Sequence, residues 1–220
     1  MAYNKNDRNI ELSLEFLVCC YFGKSKDLLG AAIDRAYVDM AAHTLQGFAD
    51  DNIRWNCRYE ASNVIFKRIK RYKSKNYEEW HSSVIKAIKA CYSDPQLSEG
   101  QAQKWLNMTV KYVFVLKCVL GINYSGLSAA KTFLKKTNEK DYYPPIDSYI
   151  LKGSGNYSNE PWSGFDNVRY KKIKKKMDEK EQGFVWELIN WERYRNEANS
   201  NPNSGTYAKY LKTNELKYGK

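Results

Sequence analysis

The sequence is poor in the residues that usually build metal centres and disulfide frameworks. It contains only two histidines, His43 and His81, which argues against a histidine-based metal centre. The five cysteines are odd in number and show no C-x-x-C spacing, so we expect reduced, buried thiols in a cytosolic protein and no zinc site. The sequence therefore predicts a protein without a metal ion or other cofactor.

Several familiar signatures are also missing. No run of about eighteen apolar residues is present, so we expect no membrane span, and the first residues lead into an acidic, apolar helix rather than a signal peptide. Glycine-rich phosphate loops of the Walker type and the H-E-x-x-H and G-x-S-x-G motifs do not occur. These absences predict a cytoplasmic or nucleoid-associated protein.

Positive charge is abundant. Lysine and arginine number 36 against 25 acidic residues, which gives a net charge of +11 and a pI near 9.2. Such a balance favours an acidic partner, and nucleic acid comes before an anionic membrane surface. The charge is densest in two runs, each of which either contacts phosphates or forms an ordinary solvated helix face. The candidate phosphate-binding residues are Lys67, Arg68, Lys70, Arg71, Lys171, Lys172, Lys174 and Lys175. The expected partner is double-stranded DNA.

The apolar residues recur at helical spacing through most of the chain, and strand signals are few. Helices are predicted at about 9–22, 25–45, 50–72, 77–92, 98–120, 127–134, 184–194 and 206–217. A hydrophobic content of 43% with six tryptophans is enough to build a core. We therefore predict one all-α domain over 1–220, either undivided or with two helical lobes, about 1–95 and 96–220, around a central buried helix.

The predicted central helix is unusual at its beginning. Ser98 and Gln101 suit a capping box, and Lys104 follows in the first turns, where the helix dipole disfavours a cation. An ammonium group that its surroundings destabilise loses its proton more readily, which is one way to obtain a nucleophilic lysine. The later half is apolar nearly all round, which predicts burial. Polar residues recur along one line, which is either a solvated edge, a cleft wall or a row paired inside the protein: Gln103, Lys104, Asn107 and Lys111.

Asp147 follows the proline pair Pro144-Pro145. Prolines suit the start of a helix because the missing N–H has no partner there. Aspartate is a common N-cap, so the ordinary role predicted for Asp147 is to cap the helix that follows. A capping role and a catalytic role do not exclude each other.

Residues 97–104 and 145–150 together resemble the helix-hairpin-helix superfamily of DNA glycosylases. In that family a hairpin of the form L-P-G-x-G-x-K opens a helix and supplies a catalytic lysine, and a later P-V-D-T-x-V segment supplies a catalytic aspartate. Segment 145–150 matches the second motif in residue type. Segment 97–104 keeps the leading leucine, one glycine and the lysine, with one extra residue. The long separation of the two motifs is similar to that in the archaeal 8-oxoguanine glycosylases.

The resemblance implies a two-lobed helical fold and a base-excision repair hydrolase that flips a damaged or modified base into a cleft. Lys104 would attack the sugar carbon and form a Schiff base, with Lys111 as the alternative nucleophile on the same helix face. Asp147 would stabilise the positive charge on the sugar or orient the attacking group. Two polar residues would bind the base or a phosphate, and one of two tryptophans would stack on the base, unless both tryptophans pack in the core. These residues are Gln103, Asn107, Trp105 and Trp55.

Two alternatives without catalysis stay open. A basic helical protein could grip phosphates and form no product, or the chain could be an interaction module from a phage or a defence system that does not bind nucleic acid. The structural feature that separates these hypotheses from an enzyme is whether Lys104 or Lys111 lines one cleft together with Asp147. An Asp147 that only caps its helix, with no opening beside it, would exclude the enzyme.

Overall fold

A computed structural model of the protein describes residues 5–23, 26–41, 45, 51–93, 96–155 and 161–200. These residues form α-helices and short 3-10 helices, with no β-strand among them. The predicted all-α fold is therefore confirmed for the described part of the chain. His43 and the helix predicted at about 206–217 lie outside the described residues.

The helices follow one another with short connections. In chain order they are α1 (Lys5–Phe22), α2 (Leu28–Ala41), α3 (Asp51–Lys70), α4 (Tyr77–Ala90), α5 (Glu99–Leu120), α6 (Lys131–Lys136), α7 (Ser148–Gly153), α8 (Asn167–Glu179) and α9 (Phe184–Ser200). Two 3-10 helices, Ser125–Ala130 and Trp162–Gly164, lie before α6 and before α8. None of the described helices combines the length and the apolar character that a membrane crossing requires.

Helix α5 is the centre of the fold. It packs most extensively against α2 and also contacts α1, α4, α8 and both 3-10 helices. Its first half is buried on nearly every side, whereas Cys118 and Val119 near its end are exposed. The expectation that the apolar later half is the buried part is therefore wrong at these positions. The polar side chains of the first half tolerate burial because they form hydrogen bonds or ion pairs inside the protein.

Both predicted helix caps are present. The Ser98 hydroxyl accepts from the Gln101 N–H over 3.0 Å, and the Ser98 N–H donates to the Gln101 side chain over 2.9 Å. Asp147 caps α7 by accepting from the N–H groups of Tyr149 and Ile150, both over 3.0 Å. These caps fix where α5 and α7 begin, and therefore where Lys104 and Asp147 stand along the chain.

Gly100 allows a close approach at the beginning of α5. Its N–H donates to the Phe165 carbonyl over 3.0 Å. A Cβ atom at this position would lie 1.8 Å from the Trp162 carbonyl oxygen, which no side chain permits. The glycine thus lets the 3-10 helix Trp162–Gly164 lie directly on α5, next to Lys104.

The buried apolar residues form two clusters. The larger cluster joins α2, α3, α4, α5 and α6 and includes Phe184 of α9. The smaller cluster joins α7 and α8 through Ile146, Ile150, Leu151, Phe165, Tyr170, Ile173 and Met177. Tyr143 and Trp162 pack against both clusters. The division into lobes at about residue 95 stays a prediction.

The cysteines differ from expectation. All five are free thiols, and each is half-buried or exposed, so the prediction of buried thiols is wrong. Cys57 and Cys91 pack against the larger cluster without being enclosed, whereas Cys20 and Cys118 face solvent.

Candidate active site

The structure brings Lys104 and Asp147 together. The Lys104 Nζ lies 3.6 Å from the Asp147 Oδ2, and the two side chains are 11% and 9% exposed. The amine also lies 4.3 Å from the centre of the Trp162 ring. Lys104 reaches this place from the first turns of α5, and Asp147 reaches it from the beginning of α7. The result is a nearly buried ion pair whose cation rests against an aromatic face.

The two oxygens of Asp147 have different partners. Oδ1 accepts from the two N–H groups that begin α7. Oδ2 accepts from the Trp191 Nε1 over 3.1 Å and faces the amine of Lys104. Capping therefore occupies one oxygen and orients the other towards the lysine.

Lys111 lies about two helical turns further along α5 and forms a second ion pair. Its Nζ is 2.9 Å from the Glu187 Oε1, and Glu187 is only 1% exposed. The Lys111 Nζ also lies 5.6 Å from the centre of the Trp191 ring. Trp191 thus contacts both pairs, with its N–H towards Asp147 and its ring towards Lys111.

Glu187 is a functional candidate that the sequence did not reveal. Burial raises the pKa of its carboxyl to about 7, an effect that Lys111 opposes, Asp147 reinforces and Lys104 opposes weakly. Its Oε2 is buried and has no hydrogen-bond partner among the described residues. Glu187 can therefore hold or release a proton near neutral pH, inside a site that already contains two amines and one carboxylate.

Gln103 and Asn107 face the interior, where other groups of the protein form hydrogen bonds with their side-chain amides. The Gln103 Nε2 donates to the carbonyls of Gly100 and Ile146 over 2.9 and 3.3 Å. The Asn107 Nδ2 donates to the Gln103 Oε1 and to the Pro144 carbonyl over 2.9 and 3.1 Å. Both residues are fully buried. Instead of the contact with a base or a phosphate that the resemblance implies, they fix the backbone immediately before Asp147.

His81 completes this buried network. Its Nε2 lies 2.7 Å from the Asn107 Oδ1. An amide oxygen can only accept a hydrogen bond, so the imidazole N–H donates. Burial lowers the pKa of His81 to about 4, a shift that the hydrogen bond to Asn107 opposes and the charge of Lys174 reinforces. The Tyr170 hydroxyl also meets Asn107, over 3.3 Å. The network thus ties α4, α5 and α8 to the segment that carries Asp147.

The two predicted stacking tryptophans lie in different places. Trp105 is fully buried, donates from its Nε1 to the Ile33 carbonyl over 3.0 Å and packs at 4.9 Å from the Tyr37 ring, so it is a core residue. Trp55 is exposed on α3, in a groove that contains none of the polar residues of α5. The aromatic rings beside Lys104 and Lys111 are instead those of Trp162 and Trp191. The only sequence signal for Trp162 is its isolation in a polar stretch.

A cavity of about 370 Å³ lies between α7 and α9, lined by Tyr149, Lys152, Gly153, Tyr194 and Glu197. Tyr149 joins this cavity to the candidate site. Its N–H donates to Asp147, and its ring meets the Trp191 ring edge-on at 6.2 Å. Lys104 and Asp147 themselves are not among the residues that line this cavity.

The predicted phosphate-binding residues lie on two separate helices. At the end of α3, Lys67, Arg68, Lys70 and Arg71 are all exposed. On α8, Lys171, Lys172 and Lys175 are exposed, whereas Lys174 is half-buried, pairs with Asp178 over 2.5 Å and lies 4.2 Å from the Tyr143 ring centre. Lys175 is 4.0 Å from Glu179. Neighbouring carboxylates therefore balance part of the charge of α8.

Comparison of the chain with protein-family models, curated proteins and solved structures returned no match. Within the described part of the chain, no group of three or more histidine, cysteine or acidic side chains is arranged to hold a metal ion. The side chains at the site are amines, carboxylates and indoles. An amine next to a carboxylate supports nucleophilic attack on a carbon that develops positive charge, and imine formation with an aldehyde.

Proposed function

We propose that this protein binds DNA and removes a damaged or modified base, with Lys104 as nucleophile and Asp147 as the supporting carboxylate. The observation that carries the proposal is the distance of 3.6 Å between the Lys104 Nζ and the Asp147 Oδ2, in a nearly buried site. The two segments that supply this pair are those that resemble the helix-hairpin-helix glycosylases. The net charge of +11 suits a polyanionic substrate.

The reaction follows from the groups present. Lys104 first gives a proton to water, and its free amine then attacks C1′ of a flipped nucleotide. The base departs with the electron pair of the glycosidic bond and takes up a proton from water. The attacking nitrogen then loses a proton, and opening of the sugar ring gives a Schiff base between Lys104 and C1′. The Asp147 carboxylate stabilises the positive charge that develops on the sugar. Water releases the product by hydrolysing the Schiff base, with or without cleavage of the DNA strand by elimination.

The test uses a panel of duplex oligonucleotides, each with one damaged or modified base. Borohydride reduces a Schiff base to a stable covalent complex, so trapping reports the nucleophile directly. We expect trapping with the unmodified protein and none with Lys104→Gln. Asp147→Asn should lower the rate of base release by about 10²–10⁴-fold, the range for a catalytic proton-transfer or charge-stabilising group.

Lys111→Gln is the matched control, since it removes a second buried lysine from the same helix. Loss of trapping in Lys111→Gln but not in Lys104→Gln would transfer the nucleophilic role to Lys111. Unchanged base release in both Lys104→Gln and Asp147→Asn would remove this pair from the reaction.

A second candidate function is binding of nucleic acid without catalysis. The observation that favours it is that Lys104 and Asp147 already form an ion pair with each other, and that the Lys104 amine lies against the Trp162 ring. A purely structural ion pair would have this arrangement too. This function predicts salt-sensitive binding with no released base for any oligonucleotide. An interaction module would show no binding even at low salt.

A further inference from the structure

A groove between α2 and α3 has an aromatic wall that the proposed reaction does not use. Its volume is about 370 Å³, and Trp55, Tyr59 and Phe66 line it from α3. Trp55 is 60% exposed and Tyr59 is 61% exposed. All six tryptophans lie within the described residues, and the other five are buried or half-buried. Two large aromatic rings one helical turn apart therefore present open faces to solvent.

Arg58 also lines the groove and contacts aromatic rings on both of its helices. Its guanidinium carbon lies 5.1 Å from the centre of the Trp55 ring and 4.4 Å from that of Tyr37 in α2. The same guanidinium pairs with Asp34 over 2.8 Å. Asp27, the other carboxylate of the groove, accepts from the Leu29 N–H at the beginning of α2 over 3.1 Å. Arg58 thus balances the charge of Asp34, whose side chain is 62% exposed, and Asp27 is engaged as a helix cap.

The aromatic wall leads into a strongly basic surface. Residues 61–73 contain five lysines and arginines and no acidic residue. The Lys70 Nζ lies 5.7 Å from the centre of the Phe66 ring, where the two surfaces meet. Trp55 and Lys70 are about 22 Å apart along the axis of α3, at 1.5 Å per residue. The aromatic wall and the basic end of α3 therefore follow one another over a length of several nucleotides.

We infer that the α2–α3 groove binds single-stranded nucleic acid, with bases stacked on Trp55 and Tyr59 and phosphates on the basic end of α3. Every base has a face that can stack on an aromatic ring, and a single strand leaves these faces accessible, whereas a duplex does not. A second copy of this chain would bring the same positive charge to the groove, so a polyanion is the better partner. The inference does not depend on the Lys104–Asp147 site.

The test measures binding of fluorescein-labelled oligo-dT and oligo-rU of about 12 nucleotides, a length within the range of known single-strand sites. We expect Trp55→Ala to weaken binding by about tenfold, the lower part of the range for loss of one stacking partner. Trp55→Phe keeps an aromatic face and should bind within about threefold of the unmodified protein, on the same stacking scale. The oligonucleotide should also quench tryptophan fluorescence, and this signal should be lost in Trp55→Phe although binding persists.

Phe16→Ala is the matched control, since it removes an equally exposed aromatic ring from α1 and should leave binding unchanged. The double variant Lys67→Gln, Lys70→Gln should lower the slope of log affinity against log salt by about 1.4, at 0.7 per phosphate contact. The variant Lys104→Gln should bind both as the unmodified protein does, so the groove and the proposed reaction are tested separately.

Three results would overturn the inference. The first is unchanged oligonucleotide binding by Trp55→Ala. The second is that Trp55→Ala loses as much affinity for a blunt duplex as for the single strand, which would mean that stacking on free bases is not involved. The third is a self-association that Trp55→Ala abolishes in a protein that does not bind either oligonucleotide, which would assign the groove to a second copy of the chain.

Discussion

Trp191 donates from its indole N–H to the Asp147 Oδ2, the same oxygen that faces the amine of Lys104. The ring of Trp191 also lies against Lys111, whose partner is Glu187. One side chain of α9 therefore connects two ion pairs of α5, and a change in Trp191 should affect both.

Trp191→Phe removes the hydrogen bond to Asp147 and keeps most of the apolar surface. Hydrogen bonds to charged groups contribute about 1.5–3 kcal/mol, so we expect the free energy of unfolding to fall by about 1–3 kcal/mol. Urea denaturation measures this change. Trp186→Phe, in the same helix and also half-buried, is the control and should cost less. Equal losses in both variants would mean that the bond to Asp147 adds no stability.

Glu187→Gln should change how stability depends on pH. The folded pKa of Glu187 is raised from 4.5 to about 7, so the folded state binds more protons than the unfolded state between these values. Stability from this group is therefore present at low pH and falls as pH rises from about 4.5 to 7. The groups that face Glu187 are Lys111 and Lys104 from α5 and Asp147 at the beginning of α7.

The measurement is the free energy of unfolding at several pH values between 5 and 8 in about equal ionic strength. In the unmodified protein, Glu187 should lower the free energy of unfolding by up to about 3 kcal/mol across this window, at 1.36 kcal/mol per pKa unit. In Glu187→Gln this decrease should be absent. Parallel pH profiles for the two proteins would contradict a protonated Glu187. The difference between the profiles is informative because it cancels the contribution of the other titrating groups.

His81 should stay neutral well below the ordinary range of a histidine. Its pKa is lowered to about 4, so the unfolded state binds more protons than the folded state between about 4 and 6.5. Stability from this group therefore rises with pH across that window, opposite in sign to the contribution of Glu187. Imidazole resonances in an NMR titration measure the pKa directly.

The assignment of this titration is simple because the chain contains only two histidines. The resonance that disappears in His81→Gln identifies His81, and His43 provides the internal comparison. A His81 resonance that titrates near pH 6.5 would show that the imidazole is accessible to water, and that its bond to Asn107 opens.

Gly100→Ala should destabilise the protein strongly. The added Cβ would meet the Trp162 carbonyl at 1.8 Å, so the 3-10 helix Trp162–Gly164 must move away from α5. We expect a loss of about 1–3 kcal/mol or more in the free energy of unfolding, as for overpacked interiors. The displaced Trp162 ring would also uncover the Lys104 amine, which increases the access of water to the site.

Gly30→Ala is the matched control for this variant. Gly30 also lies in a helix, but the nearest atom to its added Cβ is 3.7 Å away, an ordinary contact. The substitution there should stabilise the protein by about 0.5–1 kcal/mol because alanine favours helix. Thermal denaturation of both variants separates the two effects, and similar values for both would contradict a close approach at Gly100.

The helix positions and caps were accessible from sequence because they depend on neighbouring residues. The hydrogen bonds of Ser98 and Asp147 span at most three residues, so the residue types at these positions are sufficient to predict them. The helix predicted at about 77–92 is close to the observed Tyr77–Ala90 for the same reason. Apolar spacing then predicted the all-α fold.

The polar line of α5 shows what sequence could not decide. A row of Gln103, Asn107 and Lys111 at helical spacing suits a solvated edge as well as a buried network. Their partners lie in α9, in α8 and near Pro144, far away in the chain. Only the packing of the helices determines that these partners lie next to the polar side chains of α5. His81, Glu187 and Trp191 were missed because each is a single residue without a motif.

By itself, the sequence determined that Lys104 stands near the beginning of one helix and Asp147 at the cap of another, since local hydrogen bonds set both positions. Tertiary structure alone decided that the amine and the carboxylate lie 3.6 Å apart, that Lys111 pairs with Glu187, and that Trp55 faces a separate groove. The physical reason is that distances between side chains on different helices depend on how α5, α7 and α9 pack, and no stretch of neighbouring residues encodes that packing.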